Sequence, residues 1–192
     1  MNNKITKYID ASIKTKEKLK GQIPSIQKVV DIIANSLGSG GKLILFGNGG
    51  SAADAQHIAA EFVGKFNLKR KGLPAIALTT NTSSLTAIGN DFGYEKVFSR
   101  QVETFGSKND VVIAISTSGN SNNVIEGIKS AKKNKIIVIG LTGKDGGKMS
   151  SAVDLIIKVP SSNTQNIQES HIMIGHIIVD LVESKLRKLR RV

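Results

Sequence analysis

The chain has no cysteine and no tryptophan. Disulfides, thiolate metal sites and a cysteine nucleophile are therefore excluded, and a reducing compartment is compatible with the composition. Aromatic residues make up only 4% of the chain, which leaves little surface on which nucleic-acid bases could stack. No apolar run approaches the roughly 18 residues of a membrane-spanning helix. The opening stretch "MNNKITKYIDASIKTKEKLK" mixes charge and polarity and lacks the apolar core of a signal peptide. These absences predict a soluble, cytoplasmic protein with no membrane partner.

Acidic residues are also scarce: 27 Lys and Arg face 15 Asp and Glu, a net charge of +12. Such a surplus attracts nucleic acid, anionic membranes and phosphorylated metabolites alike. The basic residues are dispersed, however, and their densest run is the terminal "ESKLRKLRRV". With so few aromatics this reads as a solvated helix tail, and no nucleic-acid partner is expected.

What is present fits one compact domain over residues 1–192, since 192 residues at 40% hydrophobic content can bury a sizeable core. Residues 1–40 read as two helices: Ile5, Tyr8, Ile9, Ile13 and Leu19 follow helical spacing, and "PSIQKVVDIIANSLGSGG" starts at Pro24 and stops at glycines. The rhythm then changes to short apolar runs ending in Gly, Ser, Thr or Asn: "KLILFGNGG", "LPAIALTT", "DVVIAISTSGN", "KIIVIGLTGKDGG" and "AVDLIIKVP". Helical stretches separate them, and "NIQESHIMIGHIIVDLVESKLRKL" closes the chain as a long helix. Continuous apolar strands alternating with helices predict an α/β three-layer sandwich, a five-stranded parallel sheet covered on both faces. Ligands of such sheets bind at the carboxyl ends of the strands.

Two loops at those ends carry candidate chemistry. "GNGGS", Gly47 to Ser51, meets neither the dinucleotide nor the P-loop pattern, yet Asn48, Gly49 and Gly50 let backbone approach a ligand and Ser51 can cap the next helix. Alone, it satisfies a tight turn as well as a binding loop. "STSGNS", Ser116 to Ser121, sets Ser116, Thr117, Ser118 and Ser121 before a helix N-terminus, where free N–H groups and the helix dipole favour an anion such as phosphate. One serine would suffice for capping, so the surplus hydroxyls favour phosphate. After the first loop, His57 and Glu61 lie one helical turn apart and share a face, as in a surface ion pair or a site. Gln168, Glu169, His171 and His176 interrupt the apolar stripe of the last helix, where polar groups need partners or a site.

Taken together, "GNGGSAADAQHIAAEF", "AIGNDFGYEKVFSRQVE", "ISTSGNSNNVI", "LTGKDGGKM" and "IQESHIMIGHIIVDLVE" resemble, in order and spacing, the sugar isomerase (SIS) domain family, and within it the phosphoheptose isomerases. The resemblance spans nearly the whole chain. It implies a flavodoxin-like sheet of SIS type and an intramolecular oxidoreductase that converts sedoheptulose 7-phosphate to D-glycero-D-manno-heptose 7-phosphate through an enediol, for lipopolysaccharide or capsule. By the same resemblance Glu61 is the catalytic base and His176 the acid or proton shuttle. Asn48, Gly49, Gly50, Ser51, Glu61, Asn90, Asp91, Ser116, Thr117, Ser118, Ser121 and Gln168 contact the sugar phosphate, and His57, Glu61, Gln168 and His176 hold one zinc ion per subunit. His171 has no assigned role. Lys65 stands where the family often has arginine, and Gln165 where it often has aspartate. The alternative function in the same family is a non-catalytic adaptor that binds the replication initiator protein; the retained His57, Glu61, Gln168 and His176 favour the enzyme.

One spacing conflicts with a single-chain zinc site. Gln168 and His176 are eight residues apart, which on a regular helix separates their Cα atoms by roughly 12 Å, whereas ligands of one zinc lie only about 3 Å from each other. Either the helix is irregular near Gln168, or one of the two residues comes from a neighbouring subunit. The expectation is a homotetramer with sites at subunit interfaces, and with His57 and His176 meeting across them.

Overall fold

The apolar runs become strands β1 (Leu43–Gly47), β2 (Ala75–Ala77), β3 (Val111–Ile115), β4 (Ile137–Thr142) and β5 (Leu155–Lys158) in a computed structural model that describes residues 2–189. All pair in parallel, in the order β2-β1-β3-β4-β5. The last three residues of the basic terminal run, 190–192, lie outside the described residues.

Helices α1 (Asn2–Leu19) and α2 (Ile23–Gly38) precede the sheet. Between the strands lie α3 (Gly50–Val63), α4 (Thr82–Phe92), α5 (Ser99–Phe105) and α6 (Asn122–Lys133), and α7 (Thr164–Lys188) follows. Only α5 was not anticipated. "SRQVETF" is too short for its few apolar positions to reveal a period.

Alternation along each strand divides the interior in two. Leu43, Leu45, Ile113 and Ile139 pack with Ile33 of α2, Phe62 of α3 and Ile178 of α7. Ile44, Phe46, Val112 and Val138 face the other way, onto Val102 of α5 and Ile128 of α6. Side chains of successive strand residues point to opposite faces, so a strand clothed on both sides must be apolar throughout, as β1 and β3 are.

The chain leaves β1 toward β2 on one side and returns to β3 on the other, so the order reverses between β1 and β3, whose last residues Gly47 and Ile115 are register partners. This switch point brings the "GNGGS" and "STSGNS" loops side by side. On α1, Ile5, Tyr8, Ile9 and Ile13 are 51–55% exposed, an apolar stripe that its own chain leaves uncovered.

Candidate active site

Helices α3 and α7 lie against each other, and small residues set how closely. A methyl group on Gly175 would fall 2.5 Å from Cγ1 of the buried Ile58, and one on Gly50 would collide with the Gln168 amide. Close approach at Gly175 is what lets their neighbours meet: Nε2 of His176 lies 3.1 Å from Nε2 of His57, and Oε1 of Glu61 lies 3.3 Å from His57 Nε2. The three donor atoms all fall within 4.8 Å of one another.

Two imidazoles and a carboxylate at such spacing suit a metal ion. Ligand atoms bound at about 2.1 Å in a tetrahedron lie about 3.4 Å apart, and the separations of His57 Nε2 from His176 Nε2 and from Glu61 Oε1, 3.1 and 3.3 Å, are close to that. Without a cation, two neutral rings can share only one N–H between facing nitrogens. His57 is half exposed and Glu61 a quarter, so a substrate has access.

Two expectations are corrected here. His57 and His176 meet within one chain and not across subunits. Helix α7 is continuous from Thr164 to Lys188, so no irregularity carries Gln168 toward His176. Gln168 instead lies against Gly50 in the first loop. Loop spacing does not reveal which faces of α3 and α7 pack together, so the meeting of His57 with His176 leaves no trace in the sequence.

The first loop turns at Gly49 with φ +54°, a conformation that favours glycine, and its Asn48 exchanges two 2.8 Å hydrogen bonds with the buried amide of Asn123 at the start of α6. Ser51 is buried beneath the turn. In the second loop the Ser116 and Ser121 hydroxyls are 3.2 Å apart, and Ser118 Oγ accepts from the Asn120 N–H. Ser121 occupies the N-cap of α6 yet makes no side-chain capping bond. Its hydroxyl is thus not used for capping, which removes the plain-cap reading of this serine. Thr117 and Ser118 also line a cavity of about 260 Å³ with Asn120, Lys144, Ser161 and Thr164.

Asn90 and Asp91 sit on the last turn of α4 and bond to each other. Tyr94, just beyond, reaches Asn48 with its hydroxyl at 3.4 Å. His171 is fully buried, and burial pushes its pKa down to about 4, opposed in smaller part by the Thr142 backbone. Lys65 and Gln165 are exposed.

Several residues went unnoticed in the sequence. Asp54, one turn before His57, has a buried carboxylate oxygen with no protein partner; burial raises its pKa to about 6, against the pull of His57. The spacing in "DAQH" was its only signal. Asn123 lay hidden among the asparagines of "GNSNN", and Phe66, whose ring stacks on His176 at 5.4 Å, had no signal because the loop folds it back.

A family model described as SIS domain matches residues 7–143. The phosphoheptose isomerase of Clostridium acetobutylicum is 55% identical, covering 97% of this chain and 96% of the relative, and that of Burkholderia pseudomallei is 49% identical, covering 97% and 98%. Among solved structures, a phosphoheptose isomerase from Neisseria gonorrhoeae superposes with a TM-score of 0.91 at 42% identity, covering 95% of this chain and 98% of that one. One from Francisella tularensis gives 0.92 at 35% identity, covering 95% and 97%.

Proposed function

Since the chain belongs to the sugar isomerase (SIS) domain family, and within it to the phosphoheptose isomerases, we propose that it converts sedoheptulose 7-phosphate to D-glycero-D-manno-heptose 7-phosphate for surface polysaccharide such as lipopolysaccharide or capsule. The observation that carries this reading is the close triad of His57, Glu61 and His176 beside two polar loops at the sheet's switch point. An adaptor has no use for such a triad.

The residues divide the work by position. Ser116, Thr117, Ser118 and Ser121 hold the phosphate at the N-terminus of α6. Asn48, Gly49, Gly50 and Ser51, with Asn90, Asp91 and Gln168, hold the sugar hydroxyls. The Glu61 carboxylate takes a proton from C1 of the ketose, leaving an enediol, and delivers a proton to C2 after exchange with water, to which Glu61 is a quarter exposed. His176 moves a proton between the C1 and C2 oxygens, so the carbonyl passes from C2 to C1 and all atoms are conserved. Zinc held by His57, Glu61 and His176 would supply a Lewis acid for the carbonyl oxygen. As a ligand Glu61 is a weaker base, and a ring nitrogen of His176 bound to zinc carries no proton, so in both residues the two roles compete.

Assembly completes the site in this reading. The exposed stripe on α1, together with Ile177 and Leu181 of α7, supplies apolar surface for packing copies into a homotetramer. With His176 and His57 already paired in one chain, Gln168 is the residue that a neighbouring copy contributes to the ion. The charge of sugar phosphates confines them to the cell interior, which places the enzyme in the cytoplasm.

The test is incubation of purified protein with a panel of ketose phosphates in deuterated water. Turnover of sedoheptulose 7-phosphate with deuterium entering C2 of the product is expected; turnover of only shorter ketose phosphates overturns the substrate, and no turnover at all overturns the enzyme reading.

A further inference from the structure

Arg70 and Glu183 form an ion pair with side chains 2% and 0% exposed, outside the proposed machinery. The carboxylate accepts N–H groups from Phe66, Asn67 and Leu68 at 3.0 to 3.1 Å, and Arg70 Nε at 2.6 Å. Burial pushes the Glu183 pKa up, but those three backbone donors and the Arg70 charge outweigh it and hold the carboxyl below its usual range. The guanidinium donates onward to the carbonyls of Glu61 at 3.0 Å and Phe62 at 2.8 Å, in the last turn of α3, where helix carbonyls lack partners. A second tie joins Asn67 to Asp180 at 2.7 Å.

These bonds lead to two of the three triad residues from behind. Arg70 grips the backbone of Glu61 itself. Glu183 holds the N–H of Phe66, and the Phe66 ring stacks on the His176 ring at 5.4 Å with 23° between planes. Glu183 also lies two turns beyond His176 on α7, so the pair spans the seam that the triad must bridge. A surface loop needs no buried charge pair to stay folded. One that fixes both walls of a site acts on the site, as groups behind metal ligands commonly do.

We infer that the Arg70–Glu183 pair is a positioning clamp that sets the separation of Glu61 and His176 and thereby tunes metal affinity. The inference rests on reading His57, Glu61 and His176 as metal ligands. Arg70 and Glu183 touch no reacting atom; they are positioning residues.

The experiment compares wild type with Glu183→Gln, Arg70→Lys and Arg70→Met, and with Asp110→Asn as control. Asp110 is buried and bonded to Lys42 and Ser107 where β1 and β3 begin, so its substitution disturbs a buried ion pair without removing any of the bonds that join Glu61, Phe66, Arg70 and Glu183. Zinc dissociation constants by chelator competition, the visible spectrum of the Co²⁺-loaded protein, and His176 ring-proton shifts in metal-free protein are read for each. Expected are a weakening of zinc binding by roughly 10- to 100-fold in the clamp variants, an altered Co²⁺ band, and loss of the shift that Phe66 imposes on His176. Arg70→Lys, which keeps the charge but not the fork, should fall between wild type and Arg70→Met. If Arg70→Met does not fold, Glu183→Gln and Arg70→Lys decide. Folded clamp variants with unchanged zinc affinity and ring shifts overturn the clamp, and so does an equal loss in Asp110→Asn. Should wild type bind neither Zn²⁺ nor Co²⁺, the ligand reading fails by itself, and the His176 ring shifts decide whether the clamp positions that residue.

Discussion

The Nε2 atoms of His57 and His176 lie 3.1 Å apart, one from α3 and one from α7, with Glu61 Oε1 3.3 Å from the first. Donors held this close are restrained before any cation arrives. Chelation should therefore remove metal while leaving the fold largely in place, and zinc added back should raise the thermal midpoint by mass action, increasingly with concentration. A wild-type midpoint that zinc raises no more than it raises that of His57→Ala would remove the ion from this triad.

Glu61→Gln keeps the shape of the side chain and cannot accept a proton. Its isomerisation rate should fall by roughly 10² to 10⁴, the usual worth of a general base, with the circular dichroism spectrum unchanged. A loss of less than about tenfold would reassign the base, and Asp54, with its raised pKa two turns before Glu61 on α3, would be the next candidate.

Ser118→Ala and Ser121→Ala should raise KM more than they lower kcat, because the phosphate at C7 is remote from C1 and C2. Some loss of kcat follows where phosphate binding is used to position the sugar. Initial rates across substrate concentration separate the two effects; an unchanged KM in both variants would move the phosphate away from this loop.

The fold was legible because its cause is local. Each of β1 and β3 is buried at every position, so each reads as an unbroken apolar run, and Pro24 and the glycines after α2 punctuate the first helices. The site was legible as a set of loops and helices but not as an arrangement. Nothing in the spacing of His57 and His176 shows that Gly175 admits Ile58 and so brings the rings together. Phe66, Arg70 and Glu183 were invisible for the same reason: a loop residue stacked on a helix 110 positions later leaves no periodic trace.

Complementation between inactive variants separates residues that serve one chain's site from residues that a neighbouring copy supplies. A refolded mixture of His57→Ala and His176→Ala should stay inactive, since both residues serve one chain's triad. A mixture of Gln168→Ala and His176→Ala should recover activity if a neighbouring copy supplies Gln168, with about a quarter of sites in randomly mixed oligomers receiving both intact residues. Recovery in the first mixture, or silence in the second when mixed oligomers are demonstrated, would reverse the respective assignment.

The last prediction concerns His171, which is fully buried on α7 with neither ring nitrogen meeting a protein partner in good geometry. Burial lowers its pKa from 6.5 to about 4. As pH falls below 6.5 the unfolded chain takes up a proton that the folded chain refuses until pH 4, so the unfolded state binds more protons and stability must fall. The contribution is fully present above pH 6.5 and lost progressively down to about pH 4, to a total of about 3 kcal/mol at 1.36 kcal/mol per unit. Glu183, with its depressed pKa, adds acid sensitivity only at lower pH, whereas Asp54, raised to about 6, takes up a proton in the folded state within the same window and opposes the histidine, so the histidine is read from the difference between wild type and a variant that keeps Asp54. His171→Leu fills a similar volume without a titrating group. Chemical denaturation of metal-free protein between pH 6.5 and about 5 should show stability falling more steeply with acid, or rising less, in wild type than in the variant, the two slopes differing by close to one proton. Parallel slopes would mean that His171 takes up its proton in the folded state, and that burial does not control it.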